Sequence, residues 1–106
     1  MSQVFEVESL CDQVSRERPY REFLRIPAMS AGLYVLPAGA ADKQQPHRED
    51  EIYYVFRGKA KMRLGGEERS VQKGSLIFVE PGVEHRFFDI EQELVLLVVF
   101  APAETG

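Results

Sequence analysis

The chain has two histidines, His47 and His85, and each stands in an extended-looking segment beside carboxylates. Residues 45–58 carry His47 and Glu51, and residues 74–89 carry His85. Side chains an even number of residues apart share one face of a strand. His47 and Glu51 are four positions apart, so one face can present an imidazole and a carboxylate together. Two imidazoles and one carboxylate can hold one face of a divalent transition metal and leave positions open for oxygen or an organic substrate. Iron(II), manganese, nickel and zinc all suit that donor set.

Strand parity also assigns the neighbours. Tyr53 and Val55 share the parity of Glu51, and Phe87 shares that of His85, so all three should face the same interior. Val55 and Phe87 are read as pocket walls. Tyr53 is the candidate catalytic side chain, because a phenol can donate a proton or hold a ligand. Its bland alternative is a core residue whose hydroxyl finds a partner. Arg86 should point away. Glu49 and Asp50 are rival carboxylates. Glu49 shares the parity of His47 and could also face inward, but the spacing to Gly58 favours Glu51. The two are read as a solvated acidic rim, and Asp89 as a strand end. The sequence contains no nucleophile elbow, phosphate-binding glycine loop or Cys-x-x-Cys, so any catalysis must run through a metal or a side chain near it.

Strands and turns must position these groups. Residues 23–26, 33–36 and 76–79 are short apolar runs ending near Pro27, Pro37 and Pro81. Residues 52–56 are β-branched and aromatic, and stop at Gly58. Ala60, Met62 and Leu64 alternate with Lys59, Lys61 and Arg63, the pattern of a half-buried strand. Gly65-Gly66 is a hairpin signal. Residues 86–88 and 94–100 complete the set. Many short strands set off by Gly and Pro indicate an all-β sandwich or barrel. Ahead of them, Val7, Leu10, Cys11 and Val14 form one apolar stripe at helical spacing. Ser9 with Asp12 reads as a capping box, which would start a short helix at Leu10. Pro19 and the polar run before it end that helix.

Composition bounds the rest. A chain of 106 residues, 44% apolar with seven Phe, suits one packed domain over residues 1–106 with its core at about 20–102. The net charge of −4 argues against a nucleic-acid partner, which needs a basic face. The longest apolar run, residues 94–101, is far short of the ~20 residues of a membrane helix. The first six residues lack the basic start and apolar stretch of a secretory signal, and Cys11 is the only cysteine. Both features fit a cytoplasmic protein with an unreactive, half-buried thiol. Residues 102–106 read as a frayed tail.

The two histidine segments resemble the two motifs of the cupin superfamily. Gly39, His47, Glu51 and Gly58 take the places of the first motif, with six residues between Glu51 and Gly58. Gly74, Gly82 and His85 take those of the second, while Asp89 stands at the usual Asn and Pro81 falls one position late. The family's first histidine falls on Gln45, a neutral amide that coordinates more weakly than imidazole. The resemblance spans residues 39–89, about half the chain. It implies a cupin jelly-roll (double-stranded β-helix) barrel with one short N-terminal helix. The metal ligands it implies are His47, Glu51 and His85, with Gln45 as candidate fourth. A small organic molecule would bind in the barrel, for a dioxygenase-type or isomerase-type enzyme or for a non-enzymatic sensor. With Glu51, Tyr53 and Val55 facing in, Ile52, Tyr54 and Phe56 face out as an apolar stripe. Either the N-terminal residues Val4, Phe5 and Leu10 cover it, or a second chain does; a homodimer is expected.

Overall fold

A computed structural model describes residues 3–42 and 46–105. A helical turn, α1 (Val7–Leu10), runs into a short 3-10 turn over Cys11–Gln13. Six strands follow: β1 (Tyr20–Ile26), β2 (Met29–Leu36), β3 (Asp50–Leu64), β4 (Glu67–Gln72), β5 (Leu76–Val79) and β6 (His85–Ala101). All pair antiparallel in the order β1-β2-β6-β3-β4, with β5 on the free side of β3. The hydrogen-bonded ladder does not close on itself among the described residues.

Two long bent strands organise the fold. Residues 50–57 of β3 pair with residues 95–101 of β6, and β2 and β5 extend that sheet on either side. Residues 59–64 of β3 pair with residues 85–92 of β6, and β4 extends the second sheet. Between the halves the register slips three times, from Val55 to Lys61. Gly58 sits at the bend with φ +105°, and Asp89 adopts φ +46° on the opposing strand. Gly58 therefore bends β3 and does not end it, contrary to the expected strand stop. Residues 86–88 and 94–100 are likewise one strand. A left-handed residue inside a ladder makes a bulge, which sharpens the twist without ending the pairing. The Gly65-Gly66 turn does join β3 to β4, with Leu64 opposite Glu67.

Alternation along β3 matches the expected parity. Glu51, Tyr53 and Val55 are buried, whereas Ile52 and Tyr54 are exposed. The inward residues Tyr53, Val55, Met62, Phe87, Leu94, Leu96, Val98 and Phe100 form one apolar core between the two sheets. A second cluster lies on the outer face of the first sheet, where Val7, Leu10, Cys11 and Val14 pack over Leu33, Val35, Val95 and Phe56. The apolar stripe of the N-terminal turn is thus as read. Its start is not, because α1 begins at Val7 and neither Ser9 nor any other side chain caps it. Four residues of stripe packed on a sheet hold that turn in place without a cap.

A candidate metal centre between the two sheets

Glu51 lies on the first sheet and His85 opens the strand of the second, so the two meet across the core. Oε1 of Glu51 is 3.2 Å from Nε2 of His85, and both residues are 1% exposed. His47 does not owe its place to strand periodicity, since β3 begins only at Asp50. Its carbonyl instead accepts a 2.8 Å hydrogen bond from the N–H of Gly82, in the turn before β6. Gly82 has φ +77°, a conformation that costs glycine little. The His47 ring packs edge-on against Phe100, with Nε2 4.0 Å from Glu51 Oε1. One donor atom from each of His47, Glu51 and His85 lies within 4.8 Å of the others. Gln45, the candidate fourth ligand, lies outside the described residues.

The protonation pattern suits a cation. Nδ1 of His85 is 3.0 Å from the Val83 carbonyl. A carbonyl only accepts, so Nδ1 carries a proton, and Nε2, facing Glu51, is the nitrogen whose proton a metal ion would displace. Burial alone would pull the His85 pKa down, but Glu51 and the Val83 carbonyl outweigh it, and the net direction is up. Nε2 of both histidines and both oxygens of Glu51 are buried without a well-aligned hydrogen-bond partner. Each such atom costs about 1–3 kcal/mol, and more when charged. A divalent cation held among them would offset that cost, so the residues fit the group.

A cavity of about 220 Å³ opens beside His47, lined by Tyr20, Tyr34, Val98, Phe100 and Glu104. The Tyr20 ring lies over Gly32, where a Cβ would come within 2.5 Å of it. Its hydroxyl is buried without a partner, and burial pushes its pKa well above the usual phenol range. No Lys or Arg lines this cavity among the described residues. Val55 and Phe87, read as pocket walls, do not line it. They are fully buried core residues, and Phe87 packs edge-on against Tyr53 with ring centroids 5.1 Å apart. Tyr53 is wholly buried, its ring centroid 5.9 Å from that of His85.

Three neighbours escaped the sequence reading. Asp42 is buried and accepts from the Phe87 N–H at 3.0 Å, bracing the strand that begins with His85. Glu49 is buried, not a solvated rim group, and accepts from the Thr105 hydroxyl at 3.0 Å. The tail does not fray over its described part. The Ala103 and Glu104 N–H groups donate to Pro27 O and Ser30 Oγ at 3.3 and 2.9 Å, and Arg25 donates to the Glu104 carbonyl. Cys11 is half-buried under the outer cluster, and burial pushes its thiol pKa up, away from a reactive thiolate.

With this fold and site, the chain belongs to the cupin domain family, whose profile matches residues 32–100. It is 41% identical to an uncharacterised protein of Streptomyces coelicolor, over 95% of this chain and 97% of that one. Among solved structures, a double-stranded β-helix protein from Klebsiella pneumoniae superposes with a TM-score of 0.80 at 20% identity, covering 100% of this chain and 95% of that one. The DMSP lyase DddQ of Ruegeria pomeroyi superposes with a TM-score of 0.71 at 19% identity, covering 81% of this chain and 48% of that one. At those identities the solved structures share the fold.

Proposed function

We propose that the chain is a metal-dependent enzyme acting on a small organic molecule held in the cavity beside His47. The observation that carries the reading is the convergence of His47, Glu51 and His85, with four buried donor atoms left without hydrogen-bond partners. When bound there, a divalent transition metal supplies either an open position for oxygen and an organic substrate, or a Lewis acid for a carbonyl. The two-histidine, one-carboxylate set favours the first, a dioxygenase-type reaction with iron(II). The second, isomerase- or lyase-type chemistry, is supported by the likeness in fold to a DMSP lyase.

The chain's own residues would do the following. Val83 and Gly82 hold His85 and His47 through their backbone groups, and Phe100 packs against the His47 ring. Tyr20, Tyr34, Val98 and Phe100 give the organic molecule an apolar, aromatic wall. Tyr53, beside His85, is the proposed proton donor. The lone Cys11 fits a reducing, cytoplasmic setting.

The partner reading is a homodimer. The N-terminal turn covers Phe56 but leaves Ile52 and Tyr54 38% and 36% exposed. Their register partners on β5, Phe78 and Leu76, are 55% and 68% exposed. That is a contiguous apolar patch on an edge strand, which a second copy would cover.

The test is reconstitution with iron(II), manganese(II), nickel(II) or zinc(II), followed by oxygen consumption with catechols, flavonoids and thiols. The isomerase and lyase reading is assayed without oxygen on carbonyl compounds. Turnover lost in His85→Ala supports an enzyme. Ligand-dependent melting with no turnover under any metal supports a binding module instead. No helix of the described residues is long and apolar enough to cross a membrane.

A further inference from the structure

We propose that Glu104, carried by the C-terminal tail, is the positioning residue of His47; the inference rests on the metal-centre reading above. His85 takes its orientation from the Val83 carbonyl at its Nδ1. Among the described residues, the Glu104 carboxylate faces Nδ1 of His47, with Oε2 at 3.7 Å. The two nitrogens of His47 therefore look at two carboxylates, Glu104 on one side and Glu51 on the other. A carboxylate at Nδ1 favours the tautomer with its proton there. That leaves Nε2 as the lone-pair donor toward Glu51, and it makes that donor more basic. At 3.7 Å the contact is a charge interaction rather than a hydrogen bond, so it acts through ring orientation and field.

The tail is built to hold this carboxylate in place. The Glu104 N–H donates to Ser30 Oγ, its carbonyl accepts from Arg25, and Thr105 is tied to the buried Glu49. Ser30 is itself fully buried on β2. None of these contacts uses the Glu104 side chain. Removing the carboxylate should therefore leave the tail docked, and its effect can be separated from unfolding. Glu104 also lines the cavity, so it stands at the junction of His47 and the space for an organic molecule.

The experiment is a cobalt(II) titration of the full chain, followed by the visible d–d bands, for wild type, Glu104→Ala, Glu104→Gln and, as a distant control, Glu67→Ala. Glu104→Ala should weaken cobalt binding about tenfold or more, the range typical of lost outer-sphere partners of metal-bound histidine. It should also shift the d–d bands, which a merely structural role would not do. Glu104→Gln keeps an acceptor oxygen of the same shape and should fall between Glu104→Ala and wild type. Glu67→Ala should match wild type in affinity and spectrum. Melting of the metal-free variants reports folding separately, and Glu104→Gln carries the test if Glu104→Ala does not fold. Equal affinity and an unchanged spectrum in the Glu104 variants, beside a wild type that binds cobalt, would overturn the role of Glu104 alone. A wild type that binds no cobalt would overturn the metal centre and this inference together.

Discussion

The N–H of Gly82 donates to the carbonyl of His47, so one 2.8 Å hydrogen bond ties the turn that launches His85 to the segment that carries His47. The two histidines come from segments far apart in sequence, yet their backbones share a joint. A shift in that turn moves both rings together, which makes their separation a property of the backbone more than of side-chain packing.

The bend at Gly58 sets how the two sheets face each other, and hence how Glu51 meets His85. A Cβ at Gly58 would collide with the Glu93 carbonyl and lie 2.8 Å from Leu94 Cα, at a φ of +105°. The atoms it would meet are all backbone of β6, which leaves nothing flexible to yield. Gly58→Ala should cost on the order of 3 kcal/mol. Urea unfolding checks this, and a loss under ~0.5 kcal/mol would mean that the bend relaxes freely.

The Glu51–His85 pair is buried, so it carries a desolvation cost. Replacing a buried ion pair with apolar groups of similar size is often neutral or stabilising, by about 1–4 kcal/mol. Glu51→Met/His85→Leu should therefore melt no lower than the wild type when both are metal-free, while losing metal binding. A clearly lower melting temperature for the metal-free double variant would show that the pair itself holds the sheets together.

Tyr34 gives a pH dependence with a definite sign. Burial, then the charge and hydrogen bond of Asp42, push its phenol up to about 12 from an ordinary value near 10. The unfolded chain therefore ionises first, and the folded state holds more protons between those values. Tyr34 contributes stability that is fully present below about pH 10 and lost as pH rises to about 12. Tyr20 is shifted in the same direction. Denaturant midpoints across that window should fall with pH, and Tyr34→Phe should flatten the fall. An unchanged slope in Tyr34→Phe would contradict the assignment.

The apolar patch of Ile52, Tyr54, Leu76 and Phe78 should be covered in solution by a second copy. Light scattering at micromolar concentration should give a dimer. Tyr54→Glu and Phe78→Glu should each give a folded monomer, since a buried charge at that face is costly. A monomeric wild type would leave the patch bare and refute the interface.

The features legible in sequence are those that depend on short periods and rare residue types. Inward Glu51, Tyr53 and Val55 against outward Ile52 and Tyr54 follow from a period of two, which tolerates no slip when one face is buried. With two histidines in the chain, the ligand candidates were few. The bent strands were not legible, because Gly58 looks the same whether it ends a strand or bulges it. The docked tail was invisible for a different reason. Residues 102–105 are anchored mainly by main-chain groups and a threonine hydroxyl, which leave no mark in composition. The place of Glu104 follows from that docking, as does the burial of Glu49, for which parity alone left inward and outward placements open.

Metal content decides whether His47, Glu51 and His85 together hold one divalent transition metal. Elemental analysis of protein purified without chelator, paired with His85→Ala and His47→Ala/His85→Ala, tests it most directly. Close to one equivalent of metal per chain is expected in the wild type, most of it lost in the single variant and all of it in the double. Full occupancy in the folded double variant, or a wild type that neither retains nor takes up metal, would contradict it.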